Sequence, residues 1–191
     1  MKDNKIASSF LKDQRKLAIF WVFFAVLGRL IPHLPNVTPM TSLSLFAGSK
    51  LSRLATSVTA ILLALLISDI ALAFLFGYPI FSYWTIFTYT GFVGVTLVGT
   101  RIKNLSYKNL PLWLVGSTFG YWLWTNFGVW LTSDMYTKTF AGLINCYLMA
   151  LPFLRSALLG DLIWGMVIFG AFAALLKMLN TRNTEKVAER Y

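Results

Sequence analysis

The chain has one cysteine, one histidine and few charges, and each scarcity excludes a class of protein. Cys146 stands alone, so there is no disulfide framework and no thiolate metal cluster. His33 alone does not define a metal site, because such sites need several ligands at suitable spacing. Charged residues make up 13% of the chain, against about 25% in soluble domains. They cluster at the ends and in short loops. No phosphate loop, nucleophile elbow, pair of catalytic carboxylates or zinc-helix motif is present. The sequence therefore points to no enzyme and no cofactor. It also lacks internal repeats and low-complexity tracts.

Apolar residues are what the chain has in abundance: 57% of its 191 residues, with a mean hydropathy of +0.66. Runs of about 17 to 25 apolar residues read as membrane-spanning helices. Such runs cover Leu17–Ile31, Ala55–Phe76, Tyr83–Val98, Leu112–Leu131 and Leu158–Leu179. Thr41–Leu51 is shorter and carries Ser42, Ser44 and Ser49, as suits a segment surrounded by other helices. The expected fold is an all-α membrane protein with six transmembrane helices. Residues 1–16 form a cytoplasmic segment, 17–180 the membrane domain and 181–191 a polar cytoplasmic tail. The basic N-terminus before the first apolar run resembles a signal peptide. It lacks a small-residue cleavage site, so the run is kept as a helix.

A net charge of +10 could serve nucleic acid, but no soluble basic domain is present to hold it. The positive residues mark topology instead. With six spans and both ends in the cytoplasm, fourteen of the seventeen Lys and Arg residues lie inside. Only Arg29, Lys138 and Arg155 lie outside. A seventh span through Phe140–Leu154 would put the lysine-rich tail outside. That segment, interrupted by Pro152, is therefore expected as a helix on the outer face between helices 5 and 6.

The stretch 29–48, RLIPHLPNVTPMTSLSLFAG, breaks the apolar pattern with an arginine, a histidine, an asparagine and three prolines. Prolines 32, 35 and 39 remove backbone donors and fix dihedrals, so no regular helix runs through them. Irregular backbone at membrane depth must be buried in protein or line a watery cavity. The six-span topology places the polar residues Arg29, His33, Asn36, Asp69, Asn126 and Asp161 in one outer half, with Trp130 as an aromatic wall. Asp69 is the strongest signal, because a mid-helix carboxylate costs about 2.5–3.5 kcal/mol on insertion scales and needs a partner. Arg29 or His33 is the expected partner, and Asp69 either binds a substrate or coupling cation or forms a register-fixing ion pair with Arg29. Asp161 either joins the site or caps the start of its helix. Arg29 either holds an anionic group through its planar fork or snorkels to the interface. Asn126 sits among aromatic residues, where its amide needs a partner. The pattern Gly116-x-x-x-Gly120, continued by Gly128, permits close helix approach and reads as internal packing rather than dimerisation.

Several of these stretches carry a resemblance. RLIPHLPNVTP (29–39), LSLFAG (43–48), Ser68-Asp69, TNFGVWL (125–131), CYLMALPF (146–153) and Gly160-Asp161 resemble the signature of a family of small bacterial membrane proteins of unknown function. The resemblance runs from about residue 17 to 175. The plan is also similar to the S components of energy-coupling-factor transporters. It implies six helices with both ends inside and solute capture at the outer face. It also implies cover from the loops at 32–39 and 132–156, and partners among membrane transport subunits. S components often carry alanines four apart on the first helix for docking, whereas Ala18 and Ala25 here are seven apart. The expected function is binding of a small solute at the outer face of a bacterial inner membrane for uptake. Lipid is the surrounding partner. The alternative is a non-transporting structural or accessory subunit.

Overall fold

The computed structural model describes residues 14–30, 37–51, 53–102 and 109–188. These residues form six helices and no strand: α1 Gln14–Leu30, α2 Met40–Lys50, α3 Leu54–Phe76, α4 Thr85–Thr100, α5 Leu110–Thr132 and α6 Phe140–Ala188. The all-helical class expected from the sequence holds. Local chemistry sets several of the ends. α3 closes on Gly77, whose positive φ of 72° suits a residue without Cβ and whose N–H bonds the Ala73 carbonyl. α5 carries Pro111 in its first turn, where a missing N–H costs nothing.

The last helix corrects the sequence reading. Phe140–Leu154 is not a separate outer-face helix but the first part of a single 49-residue helix with Pro152 inside it. Proline removes only its own donor, and neighbouring helices can hold the chain across the gap. Trp122 Nε1 donates to the Ala150 carbonyl at 3.1 Å and Tyr147 OH to the Leu123 carbonyl at 3.0 Å. Both bonds lie just before Pro152 and clamp that part of α6 to α5. At the other end the helix continues through Thr184–Ala188, within the stretch expected as a polar cytoplasmic tail, because Glu, Lys and Ala are good helix formers.

Short α2 is the centre of the bundle. Every residue from Met40 to Gly48 is buried, and all five other helices pack against it. Its eleven residues rise only about 16 Å, so it serves as a core strut. Trp21 lies over Phe46 at 4.4 Å, and Phe169 and Phe172 close on the same ring at 4.9 and 5.0 Å. Trp21 Nε1 donates to the Leu43 carbonyl and Ser57 Oγ to the Ala47 carbonyl. Against α4 the approach is backbone to backbone. A Cβ on Gly48 would collide with the Thr96 carbonyl, and one on Gly99 with the Leu45 carbonyl.

The pattern of exposure is inverted relative to a soluble bundle. On α3 the buried face is Ser57, Ala60, Ile61, Ala64, Leu65 and Ser68, while Leu63, Ile67, Ile70 and Phe74 are exposed. On α5, Ser117, Thr118 and Gly128 face inward, while Leu112, Val115, Phe119 and Leu131 face outward. Small and hydroxyl side chains permit close helix approach, and beside the buried Ile61, Leu65, Leu114 and Trp122 many large apolar side chains are left outside. Two helices, Leu54–Phe76 and the segment Phe140–Leu175, are long and apolar enough to cross a membrane.

The glycine pattern on α5 divides. Gly128 is packed against the Phe87 ring, as internal packing requires, but Gly116 and Gly120 meet nothing within 4 Å. The internal-packing reading therefore holds for Gly128 and fails for the other two, which sit on an outward face. Between α1 and α3 runs an apolar groove of about 630 Å³, lined among others by Ala18, Val22, Ala55, Thr59 and Ala60. Ala18 borders this groove while Ala25 is buried in the core, so the two alanines do not form one docking surface.

Candidate functional site

Asp69 and Arg29 meet where the late turns of α1 and α3 lie side by side, the two helices running parallel. Arg29 Nη1 stands 2.7 Å from Asp69 Oδ1, with the two side chains 19% and 15% exposed. The same nitrogen donates to Ser68 Oγ at 2.6 Å and to the Leu65 carbonyl at 3.4 Å. Ser68 Oγ in turn bonds back to the Ala64 carbonyl at 2.7 Å. Tyr89, from α4, donates its hydroxyl to Asp69 Oδ2 at 2.7 Å. A mid-helix carboxylate in an apolar helix thus has both oxygens engaged, one by a cation and one by a phenol. That satisfies the demand the sequence placed on it.

The pair is not sealed. Arg29, Asp69 and Tyr89 line a cavity of about 310 Å³ together with Leu72, Thr85 and Thr88. Its cover among the described residues is the α3–α4 connection, which contributes Tyr78, Pro79, Ile80, Ser82 and Trp84. Thr85, Thr88 and Tyr89 fall at i, i+3 and i+4, so one face of α4 lines the cavity. Ser82 N donates to Thr85 Oγ1 at 2.8 Å, which fixes the entry of the connection into α4.

Of the residues expected to share one cavity, only Arg29 and Asp69 are brought together. Asn126 Nδ2 donates to the Trp122 carbonyl at 2.8 Å within its own helix, so its amide is satisfied locally. Trp130 Nε1 donates to the Thr137 carbonyl at 3.0 Å and ties α5 to the turn that follows. His33 and Asn36 lie outside the described residues.

Asp161 belongs to a different place. It is 3% exposed and sits inside α6, so it caps no helix of its own. Thr118 Oγ1 donates to its Oδ2 at 2.8 Å, and Ser42 Oγ lies 3.4 Å from Oδ1 and 2.9 Å from its backbone carbonyl. The Thr41 hydroxyl and the Ser42 N–H also donate to the carboxylate. Both belong to the first turn of α2, whose own N-cap, Pro39, makes no side-chain cap. A helix start leaves its first N–H groups unpartnered and favours a negative charge. Asp161 supplies that charge from another helix. The expected cap of its own helix is thus absent, and the carboxylate faces the start of α2 across the core instead.

Tyr89, Trp84 and the 78–82 connection were missed as site residues. Tyr89 had a readable signal in its i+4 spacing from Thr85. The connection had none, because its place over the cavity depends on how α3 and α4 pair. Among the described residues, no three His, Cys, Asp or Glu side chains converge as a metal site would require. The chain matches the model of DUF6580, a family of unknown function, over residues 11–184, and belongs to that family. No curated protein and no solved structure matches it.

Proposed function

We propose that this member of DUF6580 is a six-helix integral membrane protein of the bacterial inner membrane. It binds a small solute in the Arg29–Asp69 cavity and takes part in uptake of that solute. The observation that carries the site is the cavity itself. An arginine and an aspartate at its wall hold each other while staying partly open to a space of about 310 Å³. The membrane setting is supported by the inverted exposure of α3 and α5 and by the two helices of spanning length and composition. Helix α6, whose 49 residues rise about 74 Å, is long enough to cross a hydrocarbon core of about 30 Å and extend beyond it. Phe172 packs on Phe46 and lies under Lys50 near the end of α2. Residues 173–188 thus run beyond that end, carrying Lys177, Arg182 and Lys186, and this positive charge supports a cytoplasmic position for that end.

The rival reading, a non-transporting accessory subunit, draws on the apolar groove between α1 and α3. A partner helix seated there would give the bundle a packing role without a solute.

Two outcomes follow. With Cys146 replaced by alanine, a cysteine at Met135, in the α5–α6 turn, reacts with a membrane-impermeant maleimide on intact cells. A cysteine at Arg53, in the α2–α3 turn, reacts only after permeabilisation. Equal labelling of both positions removes the topology. Second, Asp69→Asn lowers solute binding about tenfold or more, roughly 1.4 kcal/mol or more, with expression near wild type. Loss of folding with affinity intact in the surviving protein removes Asp69 from the site.

A further inference from the structure

We infer that the Arg29–Asp69 cavity takes a zwitterion of amino-acid size, its carboxylate on Arg29 and its ammonium on Asp69. This rests on the solute-binding reading above and names the class of solute.

The charge balance of the wall is the first observation. Among the described lining residues, Arg29 and Asp69 are the charged ones and they cancel. A solute with net charge would bring an uncompensated charge into a half-enclosed site, which is costly. A neutral solute leaves the ion pair intact and gains only the hydroxyls of Thr85 and Thr88. A zwitterion exchanges one internal ion pair for two intermolecular ones, with no charge left over.

The second observation is that each charged side chain is also held by a partner other than its counter-ion. Arg29 keeps Ser68 Oγ at 2.6 Å and the Leu65 carbonyl at 3.4 Å. Asp69 keeps the Tyr89 hydroxyl at 2.7 Å. Each charged group has a second fastener on the protein side, so both stay oriented when the link at 2.7 Å between them is replaced. Such preorganisation lowers the ordering cost of binding.

Size and walls complete the fit. About 310 Å³ lies at the lower bound of small-molecule pockets, roughly 300–1,000 Å³. That space holds an amino acid and excludes a dinucleotide. Trp84 and Tyr78 line the cavity and supply aromatic surface for an apolar side chain, or for an ammonium by cation–π attraction.

The test uses the full-length protein in lipid nanodiscs and an equimolar mixture of the twenty common L-amino acids, read by native mass spectrometry and thermal shift. The expected result is an adduct of one or a few of them with a raised melting temperature. Their decarboxylated and deaminated analogues, each lacking one charge, then bind about tenfold more weakly or worse. Asp69→Asn and Arg29→Gln lose the adduct. If either variant fails to fold, the analogue series on the wild-type protein decides alone. A co-purified solute that is neutral or singly charged, with no amino-acid adduct, overturns the zwitterion while the solute site stands. No adduct of any kind, from cells or from the mixture, overturns both.

Discussion

Gly99→Leu yields no folded protein, and Gly99→Ala lowers stability by about 2 kcal/mol. The crossing of α2 and α4 is made by backbone, with the Gly48 Cα 3.1 Å from where a Gly99 Cβ would stand and the Leu45 carbonyl closer still. A flexible side chain could swing aside. A carbonyl within a helix buried along nine consecutive residues cannot. Alanine gains about 1 kcal/mol over glycine in helix propensity, while forcing a methyl into a packed core costs about 1–3 kcal/mol, occasionally more. Because the obstacle is backbone on both sides, the steric cost wins. Gly48→Ala behaves alike, facing the Thr96 carbonyl. Gly116→Ala and Gly120→Ala supply the control. Nothing stands within 4 Å of either position, so propensity alone acts and stability is unchanged or rises by up to about 1 kcal/mol. Thermal denaturation of the four alanine variants in one detergent checks this. A destabilisation at Gly116 equal to that at Gly99 would contradict the packing described.

Asp161→Leu lowers stability by about 3 kcal/mol or more, while Asp161→Asn costs about 1 kcal/mol. The carboxylate is buried and accepts from Thr118 and from the first turn of α2. Leucine fills the volume but accepts nothing, so the Ser42 N–H and the Thr41 hydroxyl lose their acceptor inside the core. Each such orphan costs about 1–3 kcal/mol. Thr118 is the exception, because its hydroxyl also bonds the Leu114 carbonyl at 2.9 Å and falls back on it. Asparagine keeps one acceptor oxygen and loses the charge that complements the helix start. Neither change touches the Arg29–Asp69 cavity, so surviving Asp161→Asn protein binds solute as wild type does. A strong loss of solute binding with unchanged stability would return Asp161 to the site.

Much of this architecture was legible in the sequence, and the failures have physical causes. Apolar runs bounded by Gly77, Pro79 and Pro111 gave five helices nearly as observed. Residue 152 misled because proline reads as a helix break, whereas bonds between α5 and the turns just before Pro152 hold α6 in place there. The partnership of Arg29 with Asp69 was legible because a mid-helix carboxylate demands a cation. Asp161 was read as the cap of its own helix, which is wrong because that helix starts at Phe140; its place beside the first turn of α2 depends on the packing of α6 against α2. Asn126 looked unsatisfied in one dimension, yet its own helix supplies the Trp122 carbonyl. The place of the 78–84 connection over the cavity is set by pairing of α3 with α4, and no local residue pattern encodes that.

The most direct test of the solute-binding proposal is native mass spectrometry of the gently extracted protein, recording every co-purifying small molecule, with Asp69→Asn beside wild type. The proposal predicts a discrete small adduct on the wild-type chain that is absent from a folded Asp69→Asn variant. A stoichiometric protein partner with no small molecule on either form would contradict it and establish the accessory-subunit reading.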